Sequence, residues 1–203
     1  MNNSQKQVLL GCALLFELAS PATAGSPSDA KSAYEAGNYA IAAKLLMTQA
    51  QQGNADAQFN LGLMYDNGRG VPQNYKEAAK WYRLAAEQGL AAAQLNLGVM
   101  SGQGQGVPQD YKEAVKWYRL AAEQGDALAQ ANLGLMYNNG QGGPQDYVLA
   151  YMWTNIAVDN APSNQLQQIV NYRDAIAKNM TPQQIVEAQE RAILCTANRF
   201  KGC

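Results

Sequence analysis

Apolar side chains recur through the middle of this chain at helical spacing. Ala57, Leu61, Gly62 and Tyr65 fall three and four residues apart and mark one helix. The stretch DNGRGVP, from Asp66 to Pro72, then breaks it, because most of these residues are turn formers. A second helix is expected from Asn74, with Ala78, Trp81, Tyr82, Leu84 and Ala85 as its buried side and Gly89 as its stop. Asn74 followed three residues later by Glu77 has the form of a capping box. Gly62 sits in mid-helix at a propensity cost of about 1 kcal/mol, so a close approach by a neighbouring helix is expected there.

The same two-helix pattern returns 36 residues on. Glycines recur at Gly62, Gly98 and Gly134, prolines at Pro72, Pro108 and Pro144, tyrosines at Tyr75, Tyr111 and Tyr147, and tryptophans at Trp81, Trp117 and Trp153. Residues 54–89 and 90–125 agree at 26 of 36 positions, which chance does not produce. A third copy, 126–160, keeps Leu133, Gly134, Tyr137, Ala150 and Trp153, and a degenerate one precedes them at 30–53, with Tyr39 aligned to Tyr75. Beyond 160 the repeat dissolves into two predicted helices. One is capped near Ser163; the other carries Thr181 as N-cap, Pro182 at its first position and Gln184 completing a box. Gln165, Gln167, Gln168, Gln183, Gln184 and Gln189 give this end the polar outer face that a terminal unit needs.

The pattern A-x-x-x-L-G-x-x-Y, G-x-G-V-P, Y-x-x-A-x-x-W-Y-x-x-A-A-x-x-G resembles the Sel-one-like repeat, a cousin of the tetratricopeptide repeat. The resemblance implies an all-α fold, an α/α solenoid of helical hairpins spanning 25–160 with a C-terminal helical cap over 161–203. It also implies an interaction protein, in related bacterial proteins a periplasmic adaptor, a regulator of membrane sensors or a part of envelope assembly. Invariant Asn60, Asn96 and Asn132 are expected to form a ladder of hydrogen bonds to neighbouring backbone. Exported members of the family end in a similar way. Cysteine-rich secreted relatives carry a spacing like that of Cys195 and Cys203 as structural bridges, which makes a stitch the expectation and a redox role the alternative. On one continuous helix eight residues span ~12 Å, so bridging requires the helix to end between them, near Asn198 to Gly202.

The N-terminus fits export. Met1 to Gln7 is polar with one cation, Lys6; Val8 to Phe16 is apolar but short; Ala22-Thr23-Ala24 is a small-x-small cleavage pattern. Residues 1–24 are therefore read as a signal peptide, and the protein as periplasmic or secreted. The rival is a lipid anchor at Cys12, preceded by too short an apolar run. No later segment approaches the ~20 apolar residues of a membrane span. A formal charge of -1 without a basic cluster argues against nucleic acid. A monomer is expected.

Chemistry is poorly supplied. The chain has no histidine, which removes the commonest general base and zinc ligand, and neither an enzyme, a cofactor nor a metal is expected. Ser28-Asp29-Ala30-Lys31 matches the S-x-x-K of penicillin-recognising enzymes, but no K-T-G partner exists. The alternative reading is a protein that binds or hydrolyses cell-wall peptide or β-lactam, since some cysteine-rich family members have been described as penicillin-binding. The tryptophans are expected in the core, and Arg83 is expected to pair with Glu87 one turn on.

The differences between copies suggest a site. Asp56, Phe59, Leu63, Asp66 and Asn67 step by three and four, so they share one stripe of the first helix. Their counterparts are Ala92, Leu95, Val99, Gly102 and Gln103, then Leu128, Ala131, Leu135, Asn138 and Asn139. A stripe that diverges while its neighbours are copied suits a surface shaped for one partner, and the resemblance places it on the concave side. The expectation is an apolar floor of Phe59, Leu63, Leu95, Val99 and Leu135, with Asp56, Asp66, Asn67, Gln103 and Asn139 at the margin, occupied by a protein or peptide segment.

Overall fold

The computed structural model describes residues 27–203, so the 1–24 export segment and Cys12 lie outside the described residues. Among the described residues there are ten helices and no strand. They are α1 (Pro27–Glu35), α2 (Tyr39–Gln51), α3 (Ala55–Asn67), α4 (Tyr75–Glu87), α5 (Ala91–Gln103), α6 (Tyr111–Ala122), α7 (Ala127–Asn139), α8 (Tyr147–Asn160), α9 (Ser163–Ala177) and α10 (Pro182–Ala197). Through α8 each helix packs on its neighbours in the chain, which makes the array an α-solenoid. At its end α8 supports both α9 and α10.

Local chemistry sets the helix starts. Asn54 and Asp126 each accept a bond from the third backbone N–H beyond them, at 2.8 Å, and so cap α3 and α7. Leu90 holds that place in the middle copy, and α5 begins without a side-chain cap. Asn74 and Asp110 each cap the second helix of their hairpin through two N–H groups. The box expected of Asn74 and Glu77 is not completed, nor is its counterpart at Asp110 and Glu113. The Glu113 carboxylate instead accepts from Trp117 Nε1 at 2.7 Å and from Arg83 of the preceding hairpin at 3.3 Å. Arg83, expected to reach Glu87, therefore ties two hairpins together and lies over the Trp117 ring at 5.8 Å. At the far end the Thr181 box forms in both directions, while α9 starts after Pro162 with no side-chain cap.

Two kinds of joint hold the array together. Within each hairpin a glycine lets the helices meet: a Cβ on Gly62 would stand 2.6 Å from Tyr82 Cδ1, and one on Gly98 2.7 Å from Tyr118 Cδ1. Between hairpins the copied residues Ala57, Leu61 and Met64 of α3 join Ala42, Leu46 and Ala50 of α2 in one core cluster. The second glycine of each loop also rests on the hairpin before it, where a Cβ on Gly106 would lie 2.2 Å from the Tyr75 carbonyl oxygen. All three tryptophans are buried as expected. Leu84 is not: it and Leu120 stand at the edge of their helices, more than a third exposed.

A buried ladder of glutamines, which the sequence did not single out, crosses the hairpins as well. Gln58, Gln94 and Gln130 donate to the carbonyls of Ala50, Ala86 and Ala122 at 3.0–3.1 Å. Their side-chain oxygens accept from Gln88, Gln124 and Asn160 at 2.7–3.0 Å. Each glutamine thus links the second helix of one hairpin to the second helix of the next. Asn60, by contrast, is buried with its Oδ1 unpaired.

Candidate interaction face

The divergent stripe of α3, α5 and α7 divides in two. Its apolar members are packed rather than open: Phe59, Leu63 and Leu95 are each 4% exposed, with Val99, Leu128 and Leu135 at 6–8%. The Phe59 ring meets Tyr82 of its own hairpin at 5.8 Å between centroids. Phe59 and Leu63 share a core cluster with Ala78, Tyr82 and Ala85 of α4. Leu95 and Val99 likewise cluster with Ala114, Tyr118 and Ala121 of α6. The expected apolar floor is thus buried rather than open, and the clusters that hold Phe59, Leu63, Leu95 and Val99 also take in residues of the next hairpin. The physical reason is that a packed site accepts apolar substitutions of similar size, so divergence among Phe59, Leu95 and their neighbours is compatible with burial.

One divergence removes a hydrogen bond. Asp66 of α3 accepts a bond from the Tyr82 hydroxyl at 3.2 Å. The second copy has Gly102 there, and the Tyr118 hydroxyl, fully buried, finds no hydrogen-bond partner among the described residues. Burial pushes its pKa far above the ordinary phenol value. Tyr118→Phe, which removes an unsatisfied buried polar group, is therefore expected to raise unfolding stability by about 1 kcal/mol, whereas Tyr82→Phe lowers it by a similar amount. Urea unfolding of the two variants measures both signs.

Burial also raises the Asp66 carboxyl above the ordinary carboxylate range, partly offset by the Tyr82 hydrogen bond. An acid whose folded pKa lies above its unfolded value binds protons more readily when folded. Its contribution to stability consequently grows as pH falls from above the folded pKa towards the unfolded one. The difference in urea midpoint between wild type and Asp66→Asn should accordingly shift in favour of wild type on acidification through that window. A constant difference from pH 7 to 4 would contradict the assignment.

The polar members of the stripe remain reachable. Asn67, Gln103 and Asn139 are exposed at the C-terminal ends of α3, α5 and α7, and Asp56 and Ala92 are half-buried near the starts of α3 and α5. Asn67 Nδ2 donates to the Leu63 carbonyl at 2.8 Å, and Asn139 donates to Gln141. No group of histidine, cysteine or acidic side chains among the described residues is arranged to hold a metal ion. No described helix is long and apolar enough to cross a membrane. Lys31 of the S-x-x-K match pairs with Glu35 one turn on.

A model of the Sel1 repeat matches three consecutive segments, residues 55–90, 91–126 and 127–161. The chain belongs to the Sel1 repeat family. A Sel1 repeat protein from Oxalobacter formigenes, known from its crystal structure, is 34% identical with a TM-score of 0.63, the match covering 82% of this chain and 74% of that one. The crystal structure of c5321, a protective antigen of uropathogenic Escherichia coli strains that displays an SLR fold, is 30% identical with a TM-score of 0.56. That match covers 78% of this chain but 42% of the antigen. No curated protein matches. The Sel1 repeat is a protein-interaction scaffold, so this fold presents a surface to partners.

The polar ladder and the loop-glycine contact were not assigned from the sequence. Their signal was present: Gln58, Gln94 and Gln130 are identical polar residues inside otherwise apolar helices.

Proposed function

We propose that this Sel1 repeat protein is an exported, non-catalytic adaptor or regulator that holds a protein segment along the first helices of its hairpins. The contact falls on the reachable, polar side of the divergent stripe: Asp56, Asn67, Gln103 and Asn139, with Ala92 between them. The observation that carries this reading is that Asn67, Gln103 and Asn139 lie at equivalent positions in successive hairpins and are exposed. All three carry an amide side chain, Asn in the first and third copies and Gln in the second. Such a row suits a segment that hydrogen-bonds to amide side chains at intervals rather than filling an apolar trough. Export is supported by the signal-like N-terminus and by the Cys195–Cys203 bridge, a bond characteristic of oxidising compartments.

Site-specific photo-crosslinking in the native compartment tests the reading. Probes placed at positions 67, 103 and 139 should yield one common adduct. Probes at 84 and 120, exposed on the second helices, should not. A common adduct from 84 and 120 instead would move the contact to the other side of the hairpins.

A further inference from the structure

The last six residues do more than end α10. After Asn198 the chain doubles back: Phe200 N–H bonds to the Cys195 carbonyl at 2.8 Å and Arg199 N–H to that of Thr196 at 3.0 Å. Cys203 then joins Cys195. Two consecutive non-glycine residues, Arg199 and Phe200, take left-handed conformations with φ of 51° and 64°, a region neither residue type favours. The Phe200 ring packs on the last core cluster. It also reaches the turn between α6 and α7, where its Cε2 would touch a Cβ on Gly125 at 3.5 Å. The same turn position in earlier copies, Gly53 and Gly89, has nothing within 4 Å. The hook is thus a latch, fastened by the bridge at one end and seated by Phe200 against the turn that leads into the third copy.

The bridge is not sealed. A cleft of about 220 Å³ between α8 and the end of α10 is lined by both cysteines, over Leu149 and Met152, with Arg191 and Lys201 also in its wall. Cys195 is buried while Cys203 is half-buried, so Cys203 Sγ is the sulfur a visitor can approach. We propose that Cys195–Cys203 is a thiol–disulfide exchange site for a dithiol reductant, and that its reduction releases the cap from the third repeat.

A thiolate of the dithiol attacks Cys203 Sγ, and the electron pair of the S–S bond leaves on Cys195 Sγ, which takes up a proton. The second thiol then displaces Cys203 from the mixed disulfide. Cys203 takes up a proton, and the dithiol departs oxidised to its own disulfide, having given two electrons. The positive charges in the cleft favour both the incoming and the leaving thiolate. Arg191 is already held by Glu187 at 2.7 Å, which leaves Lys201 the larger share of that effect.

The test treats the full chain with dithiothreitol in native buffer, counts thiols by alkylation and mass, and follows hydrogen exchange. The bridge should open without denaturant. Protection should fall at Phe200 and at the Ala129 and Gln130 amides of α7, with α3 to α6 unchanged. Replacing Lys201 by Gln should slow reduction roughly fivefold, about the effect of one unit charge at 4 Å in water. Phe200→Ala with the bridge intact should reproduce the loss at Ala129 and Gln130, which separates the latch from its fastening. A bridge that yields only in denaturant, or equally fast in Lys201→Gln, overturns the exchange site. Unchanged protection at Ala129 and Gln130 in both the reduced protein and Phe200→Ala overturns the latch.

Discussion

Gly106→Ala is expected to destabilise the protein by about 4 kcal/mol, far more than its neighbour Gly104→Ala, although both belong to the same GQGQG loop. Both residues are left-handed, with φ of 73° and 70°, so a Cβ costs each a similar backbone penalty of about 1 kcal/mol. The difference lies in what the Cβ would meet. At Gly104 the nearest atoms are the Gln109 Cβ at 3.1 Å and its backbone nitrogen at 3.3 Å, tight contacts within the same loop that a small shift relieves. At Gly106 it is the Tyr75 carbonyl oxygen at 2.2 Å, with the Lys76 nitrogen at 2.9 Å, and these belong to the first turn of α4. Relieving that clash means moving one hairpin away from the next. Gly89→Ala sets the baseline, since its φ is 92° but nothing lies within 4 Å. Urea unfolding of the three variants should rank them Gly106, Gly104, Gly89 in decreasing cost, and equal losses at 106 and 89 would refute the backbone contact.

Gln94→Ala should cost about 3 kcal/mol, an unusual sum for a polar residue. The side chain is 4% exposed and makes two bonds across hairpins, to the Ala86 carbonyl at 3.0 Å and from Gln124 at 2.8 Å. Truncation leaves the Ala86 carbonyl with backbone donors alone, the Gly89 N–H at 3.0 Å among them, and it opens a cavity between hairpins. Because each repeat is stabilised chiefly by its neighbours, the loss should also weaken the coupling along the array. Thermal unfolding is the readout: the midpoint falls by roughly 10 °C and the transition broadens. Glu87→Ala, an exposed charge one position past Ala86, is the control and should leave both almost unchanged.

These residues show how far the sequence carries and where it stops. The helices, their caps at Asn74 and Thr181, the close approach at Gly62 and the burial of the tryptophans follow from spacing and residue type, because they depend on the hairpin alone. Partner choice does not. Arg83 takes Glu113 over Glu87 because the next hairpin brings that carboxylate within reach, a distance that no one-dimensional pattern contains. The stripe of Phe59, Leu63, Leu95 and Val99 was legible as a stripe, but divergence alone cannot tell an open surface from a packed core that tolerates substitution. Asn60 and Gln58 are both polar residues repeated in buried helices, and only the coordinates show that the glutamine is the one that forms the rung.

The uncapped start of α5 bears on how firmly that helix begins. Leu90 provides no acceptor where Asn54 and Asp126 each quench an N–H of the first turn, a loss worth about 1 kcal/mol. The junction between α4 and α5 therefore lacks a bond that its counterparts ahead of α3 and α7 keep. On warming, the first turn of α5 should exchange its amide hydrogens sooner than the first turns of those two helices.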